Sequence, residues 1–382
     1  MLVGQVSETD LLARIFPRLP PYAGTLVGPG DDAAVLKSPD APVVVTTDVL
    51  VQDRHFRLNW GTGVDLGWRA AMQNLADIAA MGAVPTTIVV GLVLPEHVPV
   101  SWVEDLTDGF ARACRPHGVG VVGGDLTGGD HLVVAVTAHG VMADGDPVLR
   151  SGARPGDVVA VSGPLGRARA GQALLDAGHD QPQDLISAFL RPSPPLADGP
   201  AAVRAGAHAL MDISDGLVRD ATRMAQASNV VIDLDPAALA QDVSAVAAVA
   251  AEFSADPMAW VLGGGEDHGL LATFAATDGA GSEPAAPTPS ATSAPQWGGQ
   301  QRGEQRAQQK GEQHSGAQQW RKQRRGEQHM GRHRGEAASP SSVLPGGFRP
   351  IGRVLAADDR PQVLLDGGDL PSGSAGWDHF SR

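Results

Sequence analysis

The sequence predicts a two-domain α+β protein whose second domain is interrupted by a long polar insertion. Three observations carry this expectation. A chain of 382 residues exceeds what one hydrophobic core usually organises. Short β-branched apolar runs alternate with amphipathic stretches along most of it. The composition changes abruptly near Ala275 and changes back near Ser342, and a Gly/Pro-rich junction begins at Arg150-Ser151-Gly152. The expected domains are therefore 1–149 and 150–382, the second broken by 275–342.

The elements follow in order. Leu11, Leu12, Ile15 and Phe16 share one face of a helix over 7–16. Val43-Val44-Val45 reads as a buried strand ending at Thr46-Thr47-Asp48. The stretch 64–81 carries Leu66, Ala70, Leu75, Ile78 and Ala79 as an apolar stripe, and Gly82 stops the helix. Asn74 and Asp77, three apart, share a face of it. Then come a strand at 86–94, a helix at 101–114, a strand at 119–122 ending in Gly123-Gly124-Asp125, and a strand at 132–142. The second half restarts with a strand at 157–162. Gly163-Pro164-Leu165-Gly166 opens a helix reaching Leu175. It lacks the Lys-Ser/Thr ending of a phosphate loop, so a tight turn is expected there. A helix over 217–227 and strands at 230–234, 270–274, 348–355 and 362–365 complete the folded part.

Between Trp297 and Pro340 lie nine Lys/Arg and four Glu, and Arg-Gly-Glu-Gln occurs at 302–305 and again at 325–328. Such a segment cannot bury enough apolar area to offset its ordering entropy, so disorder is expected. The whole chain carries a net charge of -14, which disfavours nonspecific nucleic-acid binding by the folded body. Cys114 is the only cysteine; it excludes intramolecular disulfides and Cys-based metal sites and is expected to be a small core residue. No signal pattern precedes Thr9-Asp10, and no apolar run approaches the ~20 residues that span a bilayer. A cytoplasmic enzyme is expected.

Chemistry is expected at the dispersed aspartates. Asp31-Asp32 follows a glycine turn, where a solvated turn and a ligand are equally good readings of the pair alone. Asp48, Asp77, Asp125, Asp212 and Asp215 also sit beside turns, strand ends or helix starts. Carboxylates gathered where an α/β sheet opens would repel one another, and hard cations such as Mg²⁺ would relieve that while holding a nucleotide's phosphates. Ser214 or Asp215 could equally be a helix cap. Gly263-Gly264-Gly265 would let the backbone approach a ligand, with Glu266 as a polar contact. No Ser-His-Asp order and no nucleophilic cysteine emerges.

Taken together, GDDAAVL (30–36), TTDVLVQDRHF (46–56), NLADIAAMGAVP (74–85), GGDLTGG (123–129), RSGARPGD (150–157), RPSPPLADG (191–199), MDISDGLVRD (211–220), GGGEDHGL (263–270) and GWDHF (376–380) resemble the thiamine-monophosphate kinase family of the PurM-like ATP-binding superfamily. The resemblance runs from end to end and leaves only 275–342 unmatched. It implies a two-domain PurM-like fold, with an N-terminal α/β dimerisation domain and a C-terminal α/β sandwich domain. It also implies a homodimer with ATP held between the domains, and transfer of the γ-phosphoryl group from ATP to thiamine monophosphate. Carried over by position, Asp32, Thr46, Thr47, Asp48, Asp77, Asp125, Asp212 and Asp215 would bind several Mg²⁺ ions. Gly124, Asp125, Arg150 and Ser214 would contact ATP. His55, Glu266 and Trp377 would contact thiamine monophosphate. The family commonly has Tyr-Glu where this chain has His268-Gly269. Relatives of the selenophosphate-synthetase and hydrogenase-maturation types would be expected to carry an N-terminal or terminal Cys that this sequence lacks. A nucleotide-binding regulatory protein without transfer activity is the remaining alternative.

Overall fold

The computed structural model describes residues 1–28, 33–276, 344–357 and 360–376, which belong to one compact unit. Its first half runs α1 (Glu8–Ile15), β1 (Thr25–Val27), β2 (Val35–Leu36), β3 (Val43–Val51), α2 (Gly63–Ala80), β4 (Ala83–Leu94), α3 (Val100–Cys114), β5 (Gly120–Gly128) and β6 (Val133–Met142). Four of the strands form a sheet in the order β3-β6-β4-β5, antiparallel except for the β4/β5 pair. The second half contributes β7 (Val158–Ser162), α4 (Arg167–Asp176), α5 (Gln183–Leu190), α6 (Asp198–Arg204), β8 (Ala209–Ile213), α7 (Leu217–Ser228), β9 (Val230–Leu234), α8 (Ala240–Glu252), α9 (Pro257–Gly263), β10 (Gly269–Phe274), β11 (Phe348–Ala356) and β12 (Gln362–Leu365). Its six strands are ordered β12-β9-β11-β7-β10-β8. The mixture of helices with largely antiparallel sheets is the α+β class the sequence predicts.

Each sheet has its own core. In the first, Leu75, Ile78 and Ala79 of α2 and Val103 and Leu106 of α3 are fully buried against Ile88, Val134 and Ala138. Burying each large aliphatic side chain contributes roughly 1.5–3 kcal/mol. Cys114 joins this core, and burial pushes its thiol up to about 12, as expected of an inert packing residue. The second core gathers Val159, Val161, Met211, Ile213, Leu217, Ile232 and Ile351. The segment 275–342 lies almost wholly outside the described residues. Among those residues no single helix is long and apolar enough to cross a membrane.

Local chemistry explains several boundaries. Ser7 caps α1 by accepting a hydrogen bond from the Asp10 amide. Thr62 and Asp65 form a capping box at the start of α2, each side chain accepting from the other's amide. Two expected strand ends are corrected. Thr46-Thr47-Asp48 lies in the middle of β3, because pairing with β6 continues through Val51↔Val133. Gly123-Gly124-Asp125 does not end β5, which pairs with β4 as far as Gly128.

α2 is the joint of the molecule. Its backbone meets that of α3 where glycines remove the side chains. A Cβ on Gly67 would lie 2.0 Å from the Leu106 carbonyl oxygen, and one on Gly109 would lie 2.3 Å from that of Val64. Towards the second half, Trp68 Nε1 donates to the Pro192 carbonyl at 2.8 Å, and Asp65 pairs with Arg191. Gly67→Ala should therefore push two helices apart. We expect a loss of about 1–3 kcal/mol in urea unfolding, and a loss below ~0.5 kcal/mol would show that the contact is not close.

Candidate active site

The strand alternation of β3 sorts the opening motif. Thr46 and Asp48 turn towards α2, where Thr46 Oγ1 donates to Asp77 Oδ2 at 2.7 Å and the Asp48 amide donates to Asn74 Oδ1 at 3.1 Å. Thr47 points to the opposite, exposed face and donates to the Val136 carbonyl at 3.0 Å. From the second half, β8 brings Asp212, and α2 packs directly on that strand.

Asp48, Asp77 and Asp212 feel one another. Burial and then the charges of Asp212 and Asp48 push the Asp77 carboxyl up to about 7. Asp48 is raised by burial and by Asp212, with His268 pulling the other way. Asp212 is raised by burial, against His268, the Ser214 hydroxyl and Arg150. Its Oδ2 is buried without a hydrogen-bond partner. A buried, unpartnered carboxylate oxygen among repelling carboxylates suits a hard cation. Among the described residues no three acidic or histidine side chains converge closely enough to hold an ion by themselves.

The other expected residues fall into three places. Asp215 is buried and engaged by Arg223 at 2.5 Å and Arg219 at 3.6 Å. Neither Ser214 nor Asp215 caps α7; Asp220 Oδ2 instead accepts from both of their amides, at 3.1 and 3.0 Å. Arg150 is exposed at the junction, close enough to act on Asp212. Gly124 and Asp125 are exposed on β5, at the far edge of the first sheet. The register runs Asp48↔Val136, Val136↔Val90, Val90↔Gly124, so three strand spacings, roughly 14 Å, separate Gly124 from Asp48. The fold thus does not bring these two to the Asp48–Asp77–Asp212 group within one chain. Asp32 and Trp377 lie outside the described residues.

His55 and Glu266 meet at one cavity of about 390 Å³, lined also by Arg54, Arg57, Trp60 and Arg169. His55 Nδ1 accepts from the Val51 amide at 3.0 Å. Glu266 pairs with Arg69 at 2.7 Å. Burial alone would raise Glu266, but Arg69 and His268 outweigh it and hold its carboxylate well below the usual range.

His268 is buried, and neither ring nitrogen makes a hydrogen bond; Nε2 stands 3.5 Å from Glu266. Burial disfavours its cation, but Glu266 and Asp212 more than offset this, so its pKa is raised. The position where this chain departs from the family pattern thus places an imidazole between the cavity and the carboxylates, with its pKa raised by Glu266 and Asp212. The helix amides of the Gly163–Gly166 turn are not free for a phosphate. Asp267 already accepts from the Gly166 and Ala168 amides, at 2.6 and 2.9 Å.

Comparison with known proteins places the chain in a family. Residues 30–142 match the family model "AIR synthase related protein, N-terminal domain" and residues 154–271 match its C-terminal domain. The chain belongs to the AIR synthase related proteins. It is 47% identical over 270 residues to the thiamine-monophosphate kinase of Mycobacterium tuberculosis, covering 71% of this chain and 81% of that protein. The thiamine-monophosphate kinase of Corynebacterium glutamicum is 42% identical over 279 residues, covering 71% and 82%. The solved complex of AaThiL with AMPPCP and TMP superposes with a TM-score of 0.65 at 28% identity, covering 100% of this chain and 99% of that one. Within the AIR synthase related proteins, the chain is a member of the thiamine-monophosphate kinase family.

The mutual repulsion has a measurable consequence. A carboxyl whose folded pKa lies above its unfolded value, about 3.9, costs stability that grows as pH rises from there towards 7. Asp77→Asn keeps an acceptor for the Thr46 hydroxyl and removes the charge. In chelator at pH 8 we expect it to be more stable than the unsubstituted protein, on the order of 1–3 kcal/mol in urea unfolding, with the gain vanishing near pH 4. A less stable variant at pH 8 would contradict the repulsion.

Proposed function

We propose that this protein transfers the γ-phosphoryl group of ATP to thiamine monophosphate, forming thiamine diphosphate and ADP, the last step of thiamine diphosphate synthesis. The observation that carries the reading is the seam itself. A group of repelling carboxylates, Asp48, Asp77 and Asp212, adjoins a cavity walled by His55 and Glu266, with His268 between them. Membership of the family and the AMPPCP and TMP of the AaThiL complex support the choice of reactants.

In this reading, an oxygen of the acceptor's phosphate attacks the γ-phosphorus while the bond to the β–γ bridging oxygen breaks, and the electron pair leaves on ADP. The acceptor oxygen is already ionised near neutral pH, so no side chain has to remove a proton. Several Mg²⁺ ions, when bound, would supply charge neutralisation and alignment for in-line transfer. Asp48, Asp77 and Asp212 would hold them, with Thr46 fixing Asp77 through its hydroxyl. Asp32, Asp125 and Asp215 keep the metal roles that the resemblance implies, as proposals; the Thr47 side chain faces away from Asp48 and Asp77, so a metal role there would fall to its backbone carbonyl. Arg150 and Ser214, next to Asp212, would meet the nucleotide, and Gly124 and Asp125 would do so from β5. His55 and Glu266 would orient the acceptor, together with Trp377.

We further propose a cytoplasmic homodimer. The outward face of β3 presents Val43, Val45 and Val49, each 46–57% exposed, around Thr47. β6 and β4 continue it with Val133, Val141, Val84 and Val93. A contiguous apolar sheet face of this kind marks a protein-binding surface, and a stable pair buries about 800 Å² on each partner.

Three experiments test these readings. Purified protein with ATP, a divalent cation and thiamine monophosphate should yield thiamine diphosphate, while thiamine or aminoimidazole precursors should not be phosphorylated. Turnover of another acceptor only would sink the assignment. Asp48→Asn should lower turnover about a hundredfold or more with the melting temperature little changed. For the dimer, light scattering should give twice the chain mass, and Val45→Lys with Val49→Lys should reduce it to the monomer. A monomeric unsubstituted protein would refute the pairing.

A further inference from the structure

Arg69 lies on the buried face of α2 and is only 2% exposed. Its guanidinium stands over the Phe189 ring of α5, 4.2 Å from the centroid. Nη1 donates to the His55 carbonyl at 2.9 Å, and Nη2 pairs with Glu266 Oε2 at 2.7 Å. One planar fork therefore ties the turn after β3 to the loop before β10, and both segments line the same cavity.

Two further observations show that the arrangement serves the cavity more than the fold. Glu266 has a φ of +71° and His268 one of +52°, conformations that cost a non-glycine residue about 1 kcal/mol or more and persist only where surroundings hold them. Arg69 Nε is buried with no hydrogen-bond partner, a cost that a side chain selected for stability alone would not carry. A buried ion pair is also a poor source of stability compared with apolar packing of similar volume. Its advantage is direction, because a bidentate guanidinium fixes where its partners point.

We propose that Arg69 is a positioning residue of the acceptor pocket, setting the His55 and Glu266 walls at the spacing and orientation the acceptor requires. The proposal rests on the reading that this cavity takes the phosphate acceptor. Arg69 also lines this cavity, but its guanidinium is committed to Glu266 and the His55 carbonyl, and it acts through these two.

The test uses the full chain with Arg69→Met, which keeps the length and apolar stem, and Arg69→Lys, which keeps the charge and one contact. Arg69→Met should raise KM for thiamine monophosphate about tenfold or more while KM for ATP stays within about twofold. Arg69→Lys should recover part of the loss, and Arg69→Met combined with Glu266→Gln should be no worse than the worse single change. An acceptor KM within twofold of the unsubstituted protein, or equal shifts in both KM values, would overturn the proposal. Hydrogen exchange tests the clamp without any turnover. Amides of 52–56 and 264–268 should exchange faster in the variant, while those of β7 and β9 should not change; unaltered exchange in both loops would overturn the clamp. Should Arg69→Met fail to fold, Arg69→Lys decides by the same two readouts, an unsubstituted-like acceptor KM and exchange pattern counting against it. An unsubstituted protein that does not phosphorylate thiamine monophosphate would refute the function instead, leaving the clamp to be decided by exchange.

Discussion

The constraint on which the site depends is the burial of Asp48, Asp77 and Asp212, brought from two halves of the chain to one seam, where desolvation and then, at Asp77, the charges of the other two raise the carboxyls. Packing that would otherwise be ordinary has to be strong enough to hold these carboxylates together. α2 does most of this: its apolar face fills the first core, its capped start reaches Arg191, and Trp68 and Arg69 reach across to the second half. The same helix carries Asp77. The force that would separate the halves and the contacts that oppose it thus arise within one element, and a bound cation would reverse the sign of the first.

The seam also orders the electrostatics by distance from the carboxylates. Asp48, Asp77 and Asp212 are raised, His268 beside them favours its cation, and Glu266 beyond it is held ionised by Arg69 and His268. Acidic and basic side chains alternate from the seam into the cavity: Asp212, His268, Glu266, Arg69. The arrangement lets an anionic group sit at one end of a bound molecule and a different chemistry sit at the other, without a long buried region of one sign.

Much of this is legible in the sequence where the physical signal is strong. α2 is readable to within a residue because large aliphatics recur on one face and Gly82 breaks it. Of the acidic motifs, Asp48, Asp77 and Asp212 come together at the seam, whereas Asp215 is paired with Arg219 and Arg223 nearby in sequence. Other parts are not legible. α8, from Ala240 to Glu252, buries its face largely with alanine and valine, so its apolar stripe has little contrast. The Gly123-Gly124 pair reads as a stop, yet Gly124 is there because a Cβ would lie 2.0 Å from the Val90 carbonyl of the adjacent strand. Close approach, not termination, requires it, and only the pairing of β4 with β5 reveals that. Arg69 is hidden on a helix whose apolar stripe dominates, although an arginine at a buried position is itself a signal that something must pair with it.

The join between β10 and β11 shows how this fold can change length without changing shape. Both strands pair with β7, one on each side, and Phe274 and Phe348 meet edge to face with ring centroids 5.4 Å apart. Whatever lies between them connects two ends that the sheet has already fixed. In general, closing a loop between fixed ends costs only about 0.6 kcal/mol more for each doubling of its length. Selection on stability therefore exerts almost no pressure on how much chain is threaded through this point. It is a point at which the length of the chain can change while the two sheets and the seam stay as they are.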